Sequence, residues 1–101
     1  MNFTGRVAII TGASRGLGRA AAARLHERGA SVAVNVRDEA RANEVVRSLG
    51  ERALAVPGDI TSAGVAAEIV IKTLDRFGRV DILVNNAAIA RSTRFEQLSG
   101  E

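Results

Sequence analysis

Short continuous apolar runs alternate along this chain with stretches whose apolar residues recur at helical spacing. The runs are Val7-Ala8-Ile9-Ile10, Val32-Ala33-Val34, Ala53-Leu54-Ala55-Val56 and Ile82-Leu83-Val84. Runs of this kind suit strands covered on both faces, as in a parallel sheet. Between them, Leu17, Ala21 and Leu25 recur at i, i+4, i+8, and Ala42, Val45, Val46 and Leu49 at i, i+3, i+4, i+7. Val65, Ile69, Thr73 and Phe77 repeat the four-residue step, with Val70 and Leu74 widening the stripe. Each pattern predicts one amphipathic helix.

The punctuation agrees. Gly29, Gly50 and Gly78 follow the three helical stretches, where left-handed C-terminal caps are expected. Asp38 is placed to cap the second helix, and Thr61 or Ser62 the third. The order is therefore β-α-β-α-β-α-β. Strict alternation means an α/β fold, a doubly wound parallel sheet with right-handed crossovers and helices on both faces. No repeat, linker or low-complexity tract interrupts it, so residues 1–101 form one domain or part of one.

Composition narrows the chemistry. In 101 residues there is no Cys, which removes disulfides, thiolate metal sites and cysteine nucleophiles. His26 is the single histidine, too few for a His-based metal cluster. Tyr and Trp are absent and only three Phe occur, which argues against a base-stacking surface for nucleic acid. The net charge of +3 comes from arginines scattered among 11 acids, so no basic stripe forms. No charged leader precedes an apolar core at the N-terminus, and no apolar run approaches the ~20 residues of a membrane span. A cytoplasmic protein without a membrane partner is the expectation.

The strongest local signal is Thr11-Gly12-Ala13-Ser14-Arg15-Gly16-Leu17-Gly18, between the first strand and the first helix. Gly12 permits a sharp turn, Gly16 lets backbone approach a pyrophosphate, and Gly18 allows the helix to pack closely. The helix start offers free N–H groups and a partial positive charge to an anion, and Ser14 adds a hydroxyl donor. Without a ligand this would be only a glycine-rich turn. Its place in a βαβ unit favours a phosphate site. The spacing does not match the triphosphate-binding G-x4-G-K-[ST] pattern.

These residues, with Asp59 after the third strand and Asn85-Asn86-Ala87 after the fourth, resemble the short-chain dehydrogenase/reductases. The wording is most similar to members of the 3-oxoacyl-(acyl carrier protein) reductase type. The resemblance implies a Rossmann-type fold and a dinucleotide cofactor. It implies that Gly12, Ser14, Arg15, Gly16, Leu17 and Gly18 line the pyrophosphate and ribose, that Asp59 and Ile60 meet the adenine, and that Asn86 and Ala87 lie along the ribose. Asn85 would brace the sheet. Read without a ligand, Asp59 is a carboxylate capping the next turn, and Asn85 and Asn86 are turn residues. Ala88 departs from the glycine usual in the family.

An acid about 20 residues beyond the glycines would hold the ribose 2′-hydroxyl of NAD. That count reaches Val36, followed by Arg37. Arg37 and Arg15, whose guanidinium groups can grip a 2′-phosphate through paired donors, favour NADP. Asp38, with the register shifted by two, would instead favour NAD; read as solvated surface residues, the two arginines carry no preference.

The family resemblance implies carbonyl reduction or alcohol oxidation, with a proton donated by a tyrosine beside a lysine four residues on and a serine polarising the carbonyl. The chain has no tyrosine, and Lys72 reads as a solvated helix residue. Ser92 and Ser99 precede the expected catalytic serine. The first four strands of a six-stranded sheet are present, which leaves Ile82-Leu83-Val84 at an edge. The expectation is an amino-terminal cofactor-binding part, inactive alone, whose full-length form would act on a small carbonyl or alcohol and self-associate. A non-catalytic dinucleotide-binding module and a truncated remnant are the alternatives. A methyltransferase, which would want an acid where Val36 stands, fits less well.

Overall fold

Each apolar run forms a strand, and each periodic stretch a helix. In the computed structural model, which describes residues 2–13 and 16–86, the elements are β1 (Val7–Thr11), α1 (Gly16–Glu27), β2 (Ser31–Asn35), α2 (Glu39–Leu49), β3 (Ala53–Ala55), α3 (Val65–Phe77) and β4 (Ile82–Asn85). All pairings are parallel, in the order β3-β2-β1-β4. The chain steps outward from β1 through β2 to β3, then returns across the sheet to place β4 on the other side of β1. The strand order reverses between β1 and β2 on one side and β4 on the other. Loops leaving such a reversal part from one another and open a crevice at the carboxyl ends of the strands.

Side-chain alternation along the strands divides the core. Ala8, Ile10, Val32 and Val34 face α1 and α2, packing with Ala22 and Val45. Ile9 and Ala33 face the opposite way and meet Val56 and Ile69 of α3. Both faces of β1 and β2 are thus covered, which explains why their residues are apolar without alternation, whereas on edge strand β4 Leu83 is 63% exposed.

Helix faces differ from the expected stripes in two places. In α1 the buried residues are Gly18 and Ala22, whereas Leu17 is 78% exposed. Small residues let this helix lie close to the sheet, and the packed face rotates by one position away from Leu17. In α3, Ile69 and Thr73 are buried, but Val70 and Leu74 remain 41% and 44% exposed. The apolar stripe there is wider than the surface covered among the described residues. Helix α2 follows expectation, with Ala42 and Val45 buried.

The caps divide similarly. Asp38 caps α2, its Oδ1 accepting from the amides of Ala40 (2.8 Å) and Arg41 (3.4 Å). Neither Thr61 nor Ser62 caps α3, which begins three residues later behind a left-handed Gly64. Thr61 is drawn instead into the turn of Asp59, and Ser62 donates its amide to the Asp59 carbonyl. Gly78 adopts the left-handed cap of α3, while Gly50 (φ 88°, ψ −139°) leaves the left-handed helical region yet still bonds to the Val46 carbonyl.

At the amino-terminal end of the sheet, Asp81 ties β1 to the start of β4. Its Oδ2 accepts from the Val7 amide at 2.9 Å, and its own amide donates to the Val7 carbonyl at 2.8 Å. Arg79 donates to Oδ1 through Nε (3.1 Å) and Nη2 (2.6 Å).

Candidate functional site

The described residues that follow the strands gather at the carboxyl end of the sheet, and each predicted site residue among them lies there or on the first turn of α1. Gly12 is held from both sides. Its amide donates to the Asn35 carbonyl at 2.9 Å, continuing the β1–β2 ladder, and its carbonyl accepts from Asn86 Nδ2 at 3.0 Å. The Ala13 amide also points at the Asn35 carbonyl, at 3.3 Å. Gly12 therefore shapes the turn, and both its polar groups are engaged within the protein.

Gly18 completes this arrangement. A Cβ built there would stand 2.4 Å from the Gly12 carbonyl oxygen and 2.9 Å from Asn86 Nδ2. The missing side chain is what allows the first turn of α1 to touch the glycine loop and the end of β4 together. Gly16 is the opposite case: it has φ +65°, and a Cβ there would meet nothing within 4 Å among the described residues. The turn is thus packed on its inner side and open at Gly16. The first turn of α1 carries no acidic residue, so the positive end of the helix dipole is not offset by a local carboxylate. These features fit an anionic diphosphate. Leu17 is exposed at the same turn, and Ser14 and Arg15 lie outside the described residues, as does Ala87.

A second cluster forms beyond β2 and β3. Val36 is buried, and Arg37 extends outward with its side chain 82% exposed. Its Nη2 stands 3.7 Å from Asp59 Oδ2. Asp59 Oδ1 accepts from the Thr61 amide (2.9 Å) and hydroxyl (2.6 Å), so the carboxylate does cap the turn that follows β3. Asp38, next to Arg37, turns Oδ1 toward the start of α2. Ile60 is half-buried and packs on the Ile9–Ile69 cluster. It also borders an apolar depression of about 200 Å³ between α3 and β4, whose lining includes Thr11 and Asn85.

Asn85 and Thr11 bond across the β1–β4 pair, with Thr11 Oγ1 donating to Asn85 Oδ1 at 3.0 Å. Lys72 pairs with Glu68 at 3.1 Å one turn away on exposed α3 surface, as a solvated lysine should. Sequence reasoning missed Asn35. It is buried, and its Nδ2 donates to the carbonyls of Val56 (2.9 Å) and Gly58 (3.0 Å), fixing the loop that presents Asp59. The available signal was a polar residue ending an otherwise apolar strand. Among the described residues there is no group of His, Cys, Asp and Glu able to hold a metal ion, and no helix long and apolar enough to cross a membrane.

Comparison with known proteins agrees with this geometry. The family model for short chain dehydrogenases matches residues 6–101. An uncharacterized oxidoreductase of Thermotoga maritima is 46% identical over 104 residues, covering the whole of this chain and 41% of that protein. The solved 3-ketoacyl-(acyl-carrier-protein) reductase of Brucella melitensis, complexed with NADH, superposes with TM-score 0.78 at 41% identity. That match covers 81% of this chain and 34% of the reductase. L-Sorbose reductase of Gluconobacter frateurii, complexed with NADPH and L-sorbose, gives TM-score 0.81 at 38% identity over 85% of this chain and 34% of its own. The chain spans about 41% of the Thermotoga relative's length. Its four parallel strands and alternating helices are those of the Rossmann-type sheet in these structures, and with the glycine turn in place the chain belongs to the short-chain dehydrogenase family of oxidoreductases.

Proposed function

We propose that residues 1–101 are the amino-terminal, cofactor-binding part of a cytoplasmic NADP-dependent oxidoreductase that interconverts a small carbonyl compound and its alcohol. The observation that carries this reading is the glycine turn, which is closed by Gly12, Gly18 and Asn86 on its inner side and open at Gly16. In it, the amides at the start of α1 receive the diphosphate, with Ser14 and Arg15 beside them. Asn86 and Ala87 border the adenosine ribose, and Asp59 and Ile60 the adenine. A bound nicotinamide supplies hydride transfer.

Preference for NADP is supported by Arg37. Its guanidinium is exposed just past the end of β2, where Val36 offers no carboxylate and Asp38 is committed to capping α2. The relatives leave the choice open, since one solved neighbour carries NADH and another NADPH. Titrating both cofactors into the 101-residue chain tests the reading. Tighter binding of NADP is expected, and Arg37→Asp should move the preference toward NAD. Preference of the unaltered chain for NAD rejects the assignment of Arg37.

The chain has no tyrosine to donate a proton to a carbonyl oxygen. Lys72 is paired with Glu68 on the exposed surface of α3. We therefore expect the isolated chain to bind cofactor without turnover. Oxidation of NADPH by any ketone with the purified 101-residue species would overturn that expectation.

A further inference from the structure

Arg37 and Asp59 join loops that leave neighbouring strands, and the two partners are held with unequal firmness. Asp59 is fixed by its own turn through the amide and hydroxyl of Thr61, at 2.9 and 2.6 Å. Arg37 is tethered to it only at ion-pair range, 3.7 Å, and its side chain is 82% exposed. That separation is too long for a hydrogen bond, so the planar fork of guanidinium donors is not consumed by the carboxylate.

We propose that Asp59 sets the strength of cofactor discrimination through Arg37. The fixed carboxylate offsets part of the arginine's charge and thereby weakens its preference for a ligand bearing a 2′-phosphate over one bearing a 2′-hydroxyl. This rests on the reading of Arg37 as the 2′-phosphate partner. The sign follows from competition for one guanidinium: a phosphate monoester carries about −1.5 to −2 at neutral pH, and with the Asp59 charge removed Arg37 is no longer drawn toward that turn and can close on the phosphate. NADP and NAD differ only in that phosphate. The ratio of their affinities therefore cancels anything Asp59 contributes to both, including a contact with the adenine.

The test is a double-substitution cycle on that ratio, measured by equilibrium binding of NADP and NAD to the full chain. The species are the unaltered chain, Asp59→Asn, Arg37→Gln and the combination. Asparagine keeps an acceptor for Thr61 and so keeps the turn. Asp59→Ser also keeps one, and replaces Asp59→Asn if that variant does not fold. Asp59→Asn is expected to raise the preference for NADP roughly 2- to 5-fold, the scale of an exposed ion pair. The rise should vanish when Arg37 is glutamine, and shrink between about 50 mM and about 500 mM salt as exposed charges are screened.

An unchanged or lowered ratio in Asp59→Asn overturns the proposal. So does an equal rise with and without Arg37, which would mean direct repulsion of the phosphate. If Arg37→Gln alone leaves the ratio where it was, or if the chain binds neither cofactor, the reading of Arg37 fails and the proposal fails with it. If Arg37→Gln lowers the ratio while Asp59→Asn is flat, the proposal alone is lost.

Discussion

The side-chain amide of Asn86 donates to the carbonyl oxygen of Gly12 at 3.0 Å, joining residues 74 positions apart in the chain. The bond locks the turn after β1 to the end of β4, across the point where the strand order reverses. Asn86→Ala leaves that carbonyl without its donor and should cost about 1 kcal/mol, the ordinary worth of a half-buried hydrogen bond. Asn86→Asp should cost more, because it sets a carboxylate oxygen against a carbonyl oxygen. Urea unfolding of the two variants, ranked against the unaltered chain, checks both the loss and its order.

Gly18 is the second restraint on the same turn. Alanine is favoured over glycine inside a helix by about 1 kcal/mol, yet here its methyl would lie 2.4 Å from the Gly12 oxygen. Gly12 cannot simply retreat, since its amide is bonded to the Asn35 carbonyl. Overpacking costs about 1–3 kcal/mol, so Gly18→Ala should lower the thermal midpoint despite the better helix former. It should also weaken dinucleotide binding, because α1 and the turn are pushed apart. A midpoint equal to or above that of the unaltered chain would contradict the tight packing described for this position.

Asn35 connects the sheet to the Asp59 loop. Replacing it with alanine removes the donor shared by the Val56 and Gly58 carbonyls. A loss of about 1–3 kcal/mol is expected, because at least one of these bonds is buried. Hydrogen exchange should show the extra opening in residues 56–60 rather than in α1.

At the far end of the sheet, Asp81 should make stability depend on acid. Hydrogen bonds from Arg79, the amide of Val7, and the charges of Arg79 and Arg6 hold its carboxyl below the ordinary aspartate range, against the opposing effect of burial. The unfolded chain, with an aspartate near pKa ~3.9, then binds more protons than the folded one in that region. The contribution is complete above about pH 4–5 and is lost as pH falls through the lowered folded value. Asp81→Asn should therefore be less stable than the unaltered chain at neutral pH, with the gap narrowing on acidification below pH ~4. Chemical denaturation between pH 2 and 7 reads this directly. A gap that is constant over the range would show that the carboxylate's charge is not what holds Val7 and Asp81 together.

Much of the fold was legible in the chain because its signals are local. Uninterrupted apolar runs such as Val7–Ile10 and Val32–Val34 mark strands covered on both sides. Asp38, with a helical stripe behind it, marks a capped helix start, and the glycines at 12, 16 and 18 carry their spacing in one short stretch. Other features depended on what each residue meets in space. Val70, Leu74 and Leu17 have the hydrophobicity of core positions, but burial is set by whether a neighbouring surface arrives, and periodicity does not contain that information. Thr61 has the chemistry of a helix cap, yet the closer Asp59 carboxylate claims it. The roles of Asn35, of Asn86 against Gly12, and of Arg37 beside Asp59 arise from loops that parallel crossovers bring to one end of the sheet. Sequence by itself determined the alternation of elements and the glycine turn, since both are written in neighbouring residues. Only the tertiary structure decided which polar groups hold that turn and which charges face each other, because such bonds depend on distances set by strand order.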